Sequence, residues 1–394
     1  MTDRPSALLI DAANVRDNDE MPSRRSDATR HVVEVGLVTG LRTITRPFPV
    51  PAIVPELGIG PFLPVAGHDL GVFNEIVGDE IDSDFGSSIG CCDTCYENFR
   101  ERWPGITFRS IEFQTQAMEI DWLVDNLRLV GSYSPAELST LRRFVQCPRC
   151  GTYIRWHVWI YEHRFTGVAE LEREVVELIT LGERTPFLLL EHPLARRVLK
   201  TVRSHISGTP SVMLDAILYR ARVEASVLEL RQDSAAIGTF GAPPPQFVAE
   251  GRFNHAGSPM LYAASDAVTA SAEVAGEGDI CLVAALRAIR PLRILDLVDI
   301  DEERTSFEIL AAISNSALMA APRTTAGWMR SQYVFSRFVA DCALSAGYDA
   351  IRYGSTKAPE GANYVFLDVS FNFEQQFVLE EISVVTAGRA AIRY

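Results

Sequence analysis

The segment EGRFNHAGSPMLYAASDAVTASAE, residues 250–273, organises the C-terminal half of this chain. Three polar side chains, Arg252, Tyr262 and Glu273, follow one another in it at spacings of ten and eleven residues. A guanidinium binds anions, a phenol combines a flat ring with a hydrogen-bonding hydroxyl, and a carboxylate stabilises positive charge. We therefore expect a polar site to be built around this segment.

The local pattern of the same segment predicts a turn, a strand and a helix. The letters HAGSP favour a turn, and the run Met260–Ala264 is typical of a short strand. Ser265 or Asp266 caps the helix that follows, which places Glu273 near its end. Strand and helix together bring Tyr262 and Glu273 to one cleft.

The regions on either side of this segment add further strands and helices. In the predicted strand 217–223, Arg220 and Arg222 share one face, which suits an anion. A long helix, 332–346, is predicted to end at Gly347. Additional strands are predicted at 281–289, 292–297, 350–353, 364–369 and 377–384. Strands with interspersed helices indicate an α+β fold for the C-terminal half.

The N-terminal half is marked by cysteines. Five of the seven cysteines lie between residues 91 and 150, and four of them form two CxxC pairs: Cys92, Cys95, Cys147 and Cys150. Four thiolates complete the tetrahedral shell of a zinc ion and leave no position for water or substrate. The pattern predicts a structural zinc site rather than a catalytic one.

Several alternatives remain open at the cysteine site. Cys91 could replace Cys92 as a ligand, His157 or His163 could contribute, and a redox dithiol is a competing interpretation. The spacer between the pairs is long for a zinc ribbon, so it must hold inserted structure. A capping box with proline, residues 134–137, predicts one helix there, and two amphipathic helices are predicted at 167–181, ending at a glycine, and at 194–206.

Composition and charge argue against several classes of function. The chain has 394 residues, 47% apolar content and a formal net charge of −14, which disfavours non-specific binding to nucleic acid or anionic lipid. The arginines near the second cysteine pair keep a nucleic-acid role as a minor option; they are Arg142, Arg143, Arg149 and Arg155. The sequence contains no apolar run long enough for a membrane span and no secretory signal pattern, so we expect a cytoplasmic protein without membrane contact.

From Tyr219 onward the chain resembles the RES domain family, which is named after an arginine, a glutamate and a serine. The matching motifs are Leu218-Tyr219-Arg220, Gly251-Arg252-Phe253-Asn254, Tyr262, Glu273 and Gly347-Tyr348-Asp349-Ala350-Ile351-Arg352-Tyr353-Gly354-Ser355. Phe253 stands where a typical member has Trp, and Ala350 where it has Gly; neither change removes a polar group. The cysteine-rich, helical region upstream is similar to the HEPN/RES N-terminal type found in some members.

The resemblance implies a fold similar to the NAD-cleaving ADP-ribosyltransferase toxins and an activity that degrades NAD. On that basis Glu273 is expected to stabilise the ribosyl cation, and Arg252, with Arg220, to bind the pyrophosphate. Tyr262 is expected to stack on nicotinamide, and Ser355 to bind the nicotinamide amide or to orient Glu273. The expected catalytic residues are therefore Arg252, Tyr262, Glu273 and Ser355, and the expected NAD-binding residues are Arg220, Arg252 and Tyr262.

Three functions from different classes follow. The first is an NAD glycohydrolase or phosphorylase, which is often the toxin of a toxin–antitoxin pair or a defence effector. The second is an ADP-ribosyltransferase that modifies a macromolecule, and the third is a non-catalytic, zinc-dependent binding or sensor protein. The expected cofactors are structural zinc and NAD as substrate, while a protein antitoxin or regulator and self-association stay open.

The sequence divides into four regions. Residues 1–85 are proline-rich and expected to be irregular, 86–165 hold the zinc site, 166–210 form a helical connector and 211–394 form the RES domain. In this division the N-terminal half recognises or regulates, and the C-terminal half cleaves NAD.

Overall fold

The computed structural model of the protein describes residues 67–85, 88–109, 117–162, 165, 167–320, 333–358, 360–367 and 373–388. Helices and strands alternate irregularly through these ranges. In chain order they are α1 (Gly67–Phe85), β1 (Ser88–Cys92), α2 (Asp93–Arg102), α3 (Pro104–Arg109), β2 (Ala117–Glu119), α4 (Ile120–Asn126), α5 (Pro135–Leu141), β3 (His157–Glu162), α6 (Val168–Arg184), α7 (Pro193–His205), β4 (Leu218–Val223), α8 (Glu224–Glu229), β5 (Leu261–Ala264), α9 (Ala267–Val274), β6 (Ile280–Ala288), β7 (Ile294–Asp296), α10 (Phe307–Asn315), α11 (Ala317–Ala320), α12 (Val334–Ala346), β8 (Ala350–Gly354), β9 (Ala362–Phe366) and β10 (Phe377–Thr386).

Helix α1 corrects, for residues 67–85, the expectation that the segment 1–85 is irregular. Leu70, Phe73, Val77 and Ile81 recur every three or four residues and are all buried, so they form one apolar stripe on the helix. Prolines end before this stripe begins, and nothing therefore interrupts the helix. Residues 1–66 lie outside the described part of the chain.

The helices predicted around the cysteine pairs are present. Ser134 and Glu137 form the predicted capping box at the start of α5. The predicted connector helices correspond to α6 and α7, but α6 does not end at Gly182 as expected and continues for two more residues. The helix is terminated instead by Pro186, because proline disfavours helical geometry in the residue before it.

The C-terminal half is built on a seven-stranded sheet with the order β10-β6-β4-β5-β9-β8-β7. Only the pair β7 and β8 is parallel among the strand pairs of this described sheet. Every predicted strand is present within three residues of its expected bounds. This half is therefore α+β, as predicted, and a smaller sheet with the order β1-β3-β2 lies in the cysteine region.

One apolar cluster joins the two halves. Buried side chains from Leu70 in α1 to Leu367 after β9 belong to the same cluster. Helix α7 contributes Val198 and Val202 and packs against α12, which precedes β8. The boundaries expected at residues 85, 165 and 210 stay predictions about sequence regions, since the packing itself is continuous across them. No helix in the described ranges has the length and apolarity that a membrane span requires.

Candidate active site

Glu273 lies at the centre of a hydrogen-bonded group formed by α9 and the strands β8 and β9. Its Oε1 accepts from the Ser355 hydroxyl at 2.8 Å and from the Asn363 amide at 2.8 Å. In the described ranges Oε2 accepts no hydrogen bond, so this oxygen remains available to a ligand. Three elements that are distant in sequence thus orient one carboxylate.

The loop that carries Ser355 is fastened to the end of α9. Lys357 donates from Nζ to the carbonyls of Ala272 at 2.6 Å and Glu273 at 3.1 Å, which neutralises the negative end of the helix dipole. Ser355 Oγ also accepts from the backbone N–H groups of Lys357 and Ala358, both at 3.1 Å. These two acceptances use the hydroxyl's lone pairs and direct its proton to Glu273.

Arg252 presents a cation to a cavity next to this group. Its guanidinium carbon lies 5.8 Å from the centroid of the Tyr333 ring and 5.5 Å from that of Tyr353, within range of cation–π attraction. No carboxylate or carbonyl of the described residues accepts from the guanidinium. The aromatic rings hold the group in place, and its N–H donors have no acceptor among the described residues, which leaves them available to an anion.

The turn that carries Arg252 is held by Tyr262. The Tyr262 hydroxyl donates to Asn254 Oδ1 at 2.9 Å and accepts from the Phe253 backbone N–H at 3.2 Å. Burial raises the pKa of Tyr262 to about 12, so the phenol stays neutral. Gly251 is needed for this close approach, because an added Cβ would lie 2.1 Å from Asn254 Oδ1.

Helix α12 supports the same turn from the other side. Ser336 donates its hydroxyl to the Arg252 carbonyl, and the buried Arg337 donates to the Gly251 carbonyl at 3.4 Å. Arg337 is also ion-paired with Glu250 at 3.4 Å. The position of Arg252 therefore depends on a helix that packs against α7 of the N-terminal half.

Arg220 and Arg222 do share one face of β4, and both are bonded to backbone carbonyls. Arg220 donates to the carbonyls of Tyr262 and Gly241, and Arg222 donates to Gly241 at 2.8 Å. Burial, followed by repulsion from Arg222, lowers the pKa of Arg220 to about 9. These contacts join β4 to β5, and binding of NAD by Arg220 stays a prediction.

A cavity of about 400 Å³ brings these residues together. Its wall comes from the turn before β5, the loop after β7, helices α3, α10 and α11, and the ends of β8 and β9. The lining residues are Gly105, Arg252, Leu297, Val298, Asp299, Ser314, Met319, Arg352, Tyr353, Gly354, Ser355, Thr356, Glu360, Gly361 and Ala362. Arg252 and Ser355 thus line the cavity directly, Glu273 is bonded to Ser355, and Tyr262 lies behind Arg252.

The four predicted metal ligands form a second site. The sulfurs of Cys92, Cys95, Cys147 and Cys150 all lie within 4.8 Å of one another. Hydrogen bonding from the Cys95 thiol, opposed by burial and aided by backbone N–H groups, lowers the pKa of Cys147 to about 5. The donor set and its spacing fit a tetrahedral metal ion.

The alternative ligands are placed elsewhere. Cys91 lies on β1 next to Cys92, and successive side chains of a strand point to opposite faces; it is not among the clustered sulfurs. His157 is paired with Asp93 at 3.2 Å, and His163 lies outside the described residues. Arg149, between the second pair of cysteines, forms a two-point ion pair with Glu172 on α6.

Two residues of the Glu273 group escaped the sequence analysis. Asn363 is buried in β9, and Lys357 lies in the loop before it. An asparagine inside an otherwise apolar strand, ANYVF, is the signal that could have identified Asn363, because a buried amide needs hydrogen-bond partners. Lys357 had no comparable signal in its local sequence.

Comparisons with known proteins bear on this half of the chain. A solved structure, "Crystal structure of the M.tuberculosis MbcT-MbcA toxin-antitoxin complex", is similar at 12% identity over 48% of this chain and 93% of that chain, with a TM-score of 0.32, too low to support an argument. No curated protein sequence matches the chain. The family model of the RES domain matches residues 217–383, which include Arg220, Arg252, Tyr262, Glu273 and Ser355. The C-terminal part of this chain is therefore a RES domain.

Proposed function

We propose that the RES domain cleaves the nicotinamide–ribose bond of NAD. One observation carries the proposal: Arg252, a cation with no anionic partner among the described residues, and Ser355 line one cavity, and the Ser355 hydroxyl donates to the Glu273 carboxylate. NAD carries a pyrophosphate close to a ribose that becomes cationic during cleavage. The arrangement of charges in the cavity is complementary to both groups.

Glu273 supplies the stabilising charge in the proposed reaction. Nicotinamide leaves with the electron pair of the C–N bond, and the ribose becomes an oxocarbenium-like cation. A carboxylate held beforehand by Ser355 and Asn363 stabilises that cation without having to reorient. Water then gives ADP-ribose with loss of a proton, and inorganic phosphate gives the 1-phosphate of ADP-ribose.

Arg252 binds the pyrophosphate in this proposal. Its planar fork can donate two parallel hydrogen bonds to phosphate oxygens, and the rings of Tyr333 and Tyr353 restrict its motion. The hydrogen bonds of Tyr262 favour a role in positioning the turn of Arg252. Stacking of Tyr262 on nicotinamide remains the alternative, because its hydroxyl contacts leave the ring's role open.

The cysteine site is proposed to hold a structural zinc ion. Zinc–sulfur bonds of about 2.3 Å in a tetrahedron separate the sulfurs by roughly 3.8 Å. The Cys92 and Cys150 sulfurs are 3.7 Å apart, close to that separation. A zinc ion would tie β1 and α2 to the turn between residues 147 and 150 and would take no part in the chemistry.

The test is release of nicotinamide from NAD by purified full-length protein, with and without phosphate. We expect the wild type to release nicotinamide, and Arg252→Ala and Glu273→Gln to be slower by at least about 100-fold, the usual loss when a transition-state contact is removed. Glu229→Gln, which removes an exposed carboxylate from α8, is the control and should match the wild type.

Three further readouts separate the alternatives. A requirement for phosphate indicates phosphorolysis, and transfer of label from NAD to protein indicates an ADP-ribosyltransferase. If the protein is a toxin, expression of the wild type slows cell growth and expression of the Glu273→Gln variant does not. An antitoxin would then have to block the cavity. Folded, metal-loaded protein that releases no nicotinamide in any condition would contradict the proposed enzyme and favour a binding protein.

A further inference from the structure

The cavity wall beside β8 is acidic. Arg352 on β8 is ion-paired with Asp296 at 2.7 Å and with Asp299 at 2.5 Å. Burial works against the charge of Arg352, but the two carboxylates outweigh it and raise its pKa. One guanidinium neutralises only one of the two carboxylates, so this triad carries a net charge of about −1.

Asp299 is the member of the triad that a ligand can reach. Its side chain is 72% exposed and lines the cavity, while that of Asp296 is 34% exposed. The bond to Arg352 limits the motion of Asp299. The backbone of residues 298 and 299 is held in turn by N–H donation to Asp296.

Glu360 places a second carboxylate on the same cavity. It comes from the loop between β8 and β9, and it lines the cavity together with Gly361. Gly361 packs closely on α9, because an added Cβ would lie 2.1 Å from the Thr269 hydroxyl. Two separate loops therefore make the wall acidic, and their charges add.

Strand β8 orders the charged groups along the cavity. Arg352 pairs with Asp299, the next residue, Tyr353, contacts Arg252, and Ser355 after the strand contacts Glu273. At about 3.3 Å per residue, residues 352 and 355 are roughly 10 Å apart. Along β8 the contacted groups are therefore the Asp299 carboxylate, the Arg252 guanidinium and the Glu273 carboxylate, in that order. A dinucleotide has the matching order of ribose, pyrophosphate, ribose.

We propose that Asp299 accepts from the 2′-hydroxyl of the adenosine ribose and that, together with Glu360, it makes the site select NAD over NADP. A carboxylate binds a ribose diol and repels a 2′-phosphate, and this is how other dinucleotide sites make the same distinction. The inference rests on the proposed function, because it takes the ribose at Glu273 to be the nicotinamide ribose.

The experiment compares nicotinamide release from NAD and NADP, as kcat/KM, for wild type, Asp299→Asn, Glu360→Gln and the control Glu303→Gln. The control removes an exposed carboxylate from the same segment as Asp299. We expect wild type to prefer NAD by about tenfold or more, and Asp299→Asn to reduce that preference roughly three- to tenfold through a lower KM for NADP. Glu360→Gln should shift the preference in the same direction, and Glu303→Gln should leave it unchanged.

Binding separates this inference from the proposed reaction. Calorimetric titration of Glu273→Gln protein with NAD and NADP measures the preference without cleavage. The inference is supported if Glu273→Gln protein binds NAD more tightly than NADP and the double variant Glu273→Gln/Asp299→Asn loses this preference. This holds even if the wild type cleaves neither nucleotide. The inference is overturned if the wild type cleaves NAD and NADP with equal kcat/KM or binds them equally. It is also overturned if Asp299→Asn does not change the preference. Failure to bind either nucleotide overturns both proposals.

Discussion

Glu273 accepts two hydrogen bonds on one carboxylate oxygen, and this geometry assigns a positioning role to a residue outside the RES motifs. The two donors are Ser355, which follows β8, and Asn363, which lies within β9. Asn363 is 3% exposed, so water cannot easily replace Glu273 as the hydrogen-bond partner of its amide. We expect Asn363 to set the direction of the other carboxylate oxygen.

Replacement of Asn363 tests that role. Asn363→Ala removes one donor to a charged group, worth about 1.5–3 kcal/mol, and kcat for NAD cleavage should fall roughly 10- to 100-fold while KM changes little. The measurement is initial-rate kinetics over a series of NAD concentrations. A fall in thermal stability with kcat unchanged would indicate a purely structural residue.

Asn363→Asp adds a pH readout that a structural role would not produce. Two carboxyl groups within hydrogen-bond distance cannot both ionise easily, so the pair holds one proton and its apparent pKa is raised. Below that pKa the protonated group can still donate to Glu273, whereas above it the two charges repel. Activity of the variant should therefore decline as pH rises, relative to wild type at each pH. A pH profile that parallels the wild type would contradict the shared-proton explanation.

The cysteine site joins elements that the chain alone would leave apart. Cys92 ends β1, Cys95 lies in α2, and the second pair lies in a turn more than 50 residues later. Arg149 in that turn is bonded to Glu172 of α6, so the site is also anchored to the helical connector. A metal ion here would hold the N-terminal sheet against the helices.

Two adjacent cysteines form a matched pair for testing the metal site. Cys92→Ala removes a sulfur from the cluster, and we expect less than one zinc per chain and a Tm lower by about 5–10 °C, because loss of a structural zinc costs several kcal/mol. Cys91→Ala removes a buried thiol outside the cluster and should keep its zinc. Zinc content by mass spectrometry and thermal unfolding are measured together. Equal zinc in both variants would exclude Cys92 as a ligand.

One apolar cluster spans both halves of the described chain, and this changes what the N-terminal half is expected to do. Val198 and Val202 of α7 are fully buried in the cluster that also contains residues of α12 and β8. Helix α12 holds the turn of Arg252 through Ser336 and Arg337. The N-terminal half therefore supports the cavity of the RES domain, in addition to any recognition or regulation.

One helix offers both a test and its control for this coupling. Val198→Asp buries a charge without a partner and should destabilise the protein by about 3 kcal/mol or more, whereas Lys200→Asp changes an exposed position of α7 by less than about 0.5 kcal/mol. Denaturant unfolding measures both, and NAD cleavage should decline with Val198→Asp. A Val198→Asp protein that keeps wild-type stability would show that α7 is dispensable to the core.

Most of the features that the sequence predicted correctly depend on local patterns of residues. The strand and helix around Tyr262 and Glu273, the capping box and the two CxxC pairs depend on residues close in sequence, and each was readable from spacing alone. The failures were also local: proline-rich composition concealed the apolar stripe of α1, and Gly182 looked like a helix end until Pro186 was considered.

Packing between distant elements determined the rest. Three interactions of the site join residues that are 8 to 90 positions apart. They are the hydrogen bond from Asn363 to Glu273, the hydrogen bond from Tyr262 to Asn254 in the turn of Arg252, and the ion pair between Arg352 and Asp299. Sequence periodicity states which face of an element is apolar, but not which element it meets. The residue types of the site therefore follow from the sequence, while their shared cavity and their partners follow only from the tertiary structure, because hydrogen bonds and ion pairs act over a few ångströms of space.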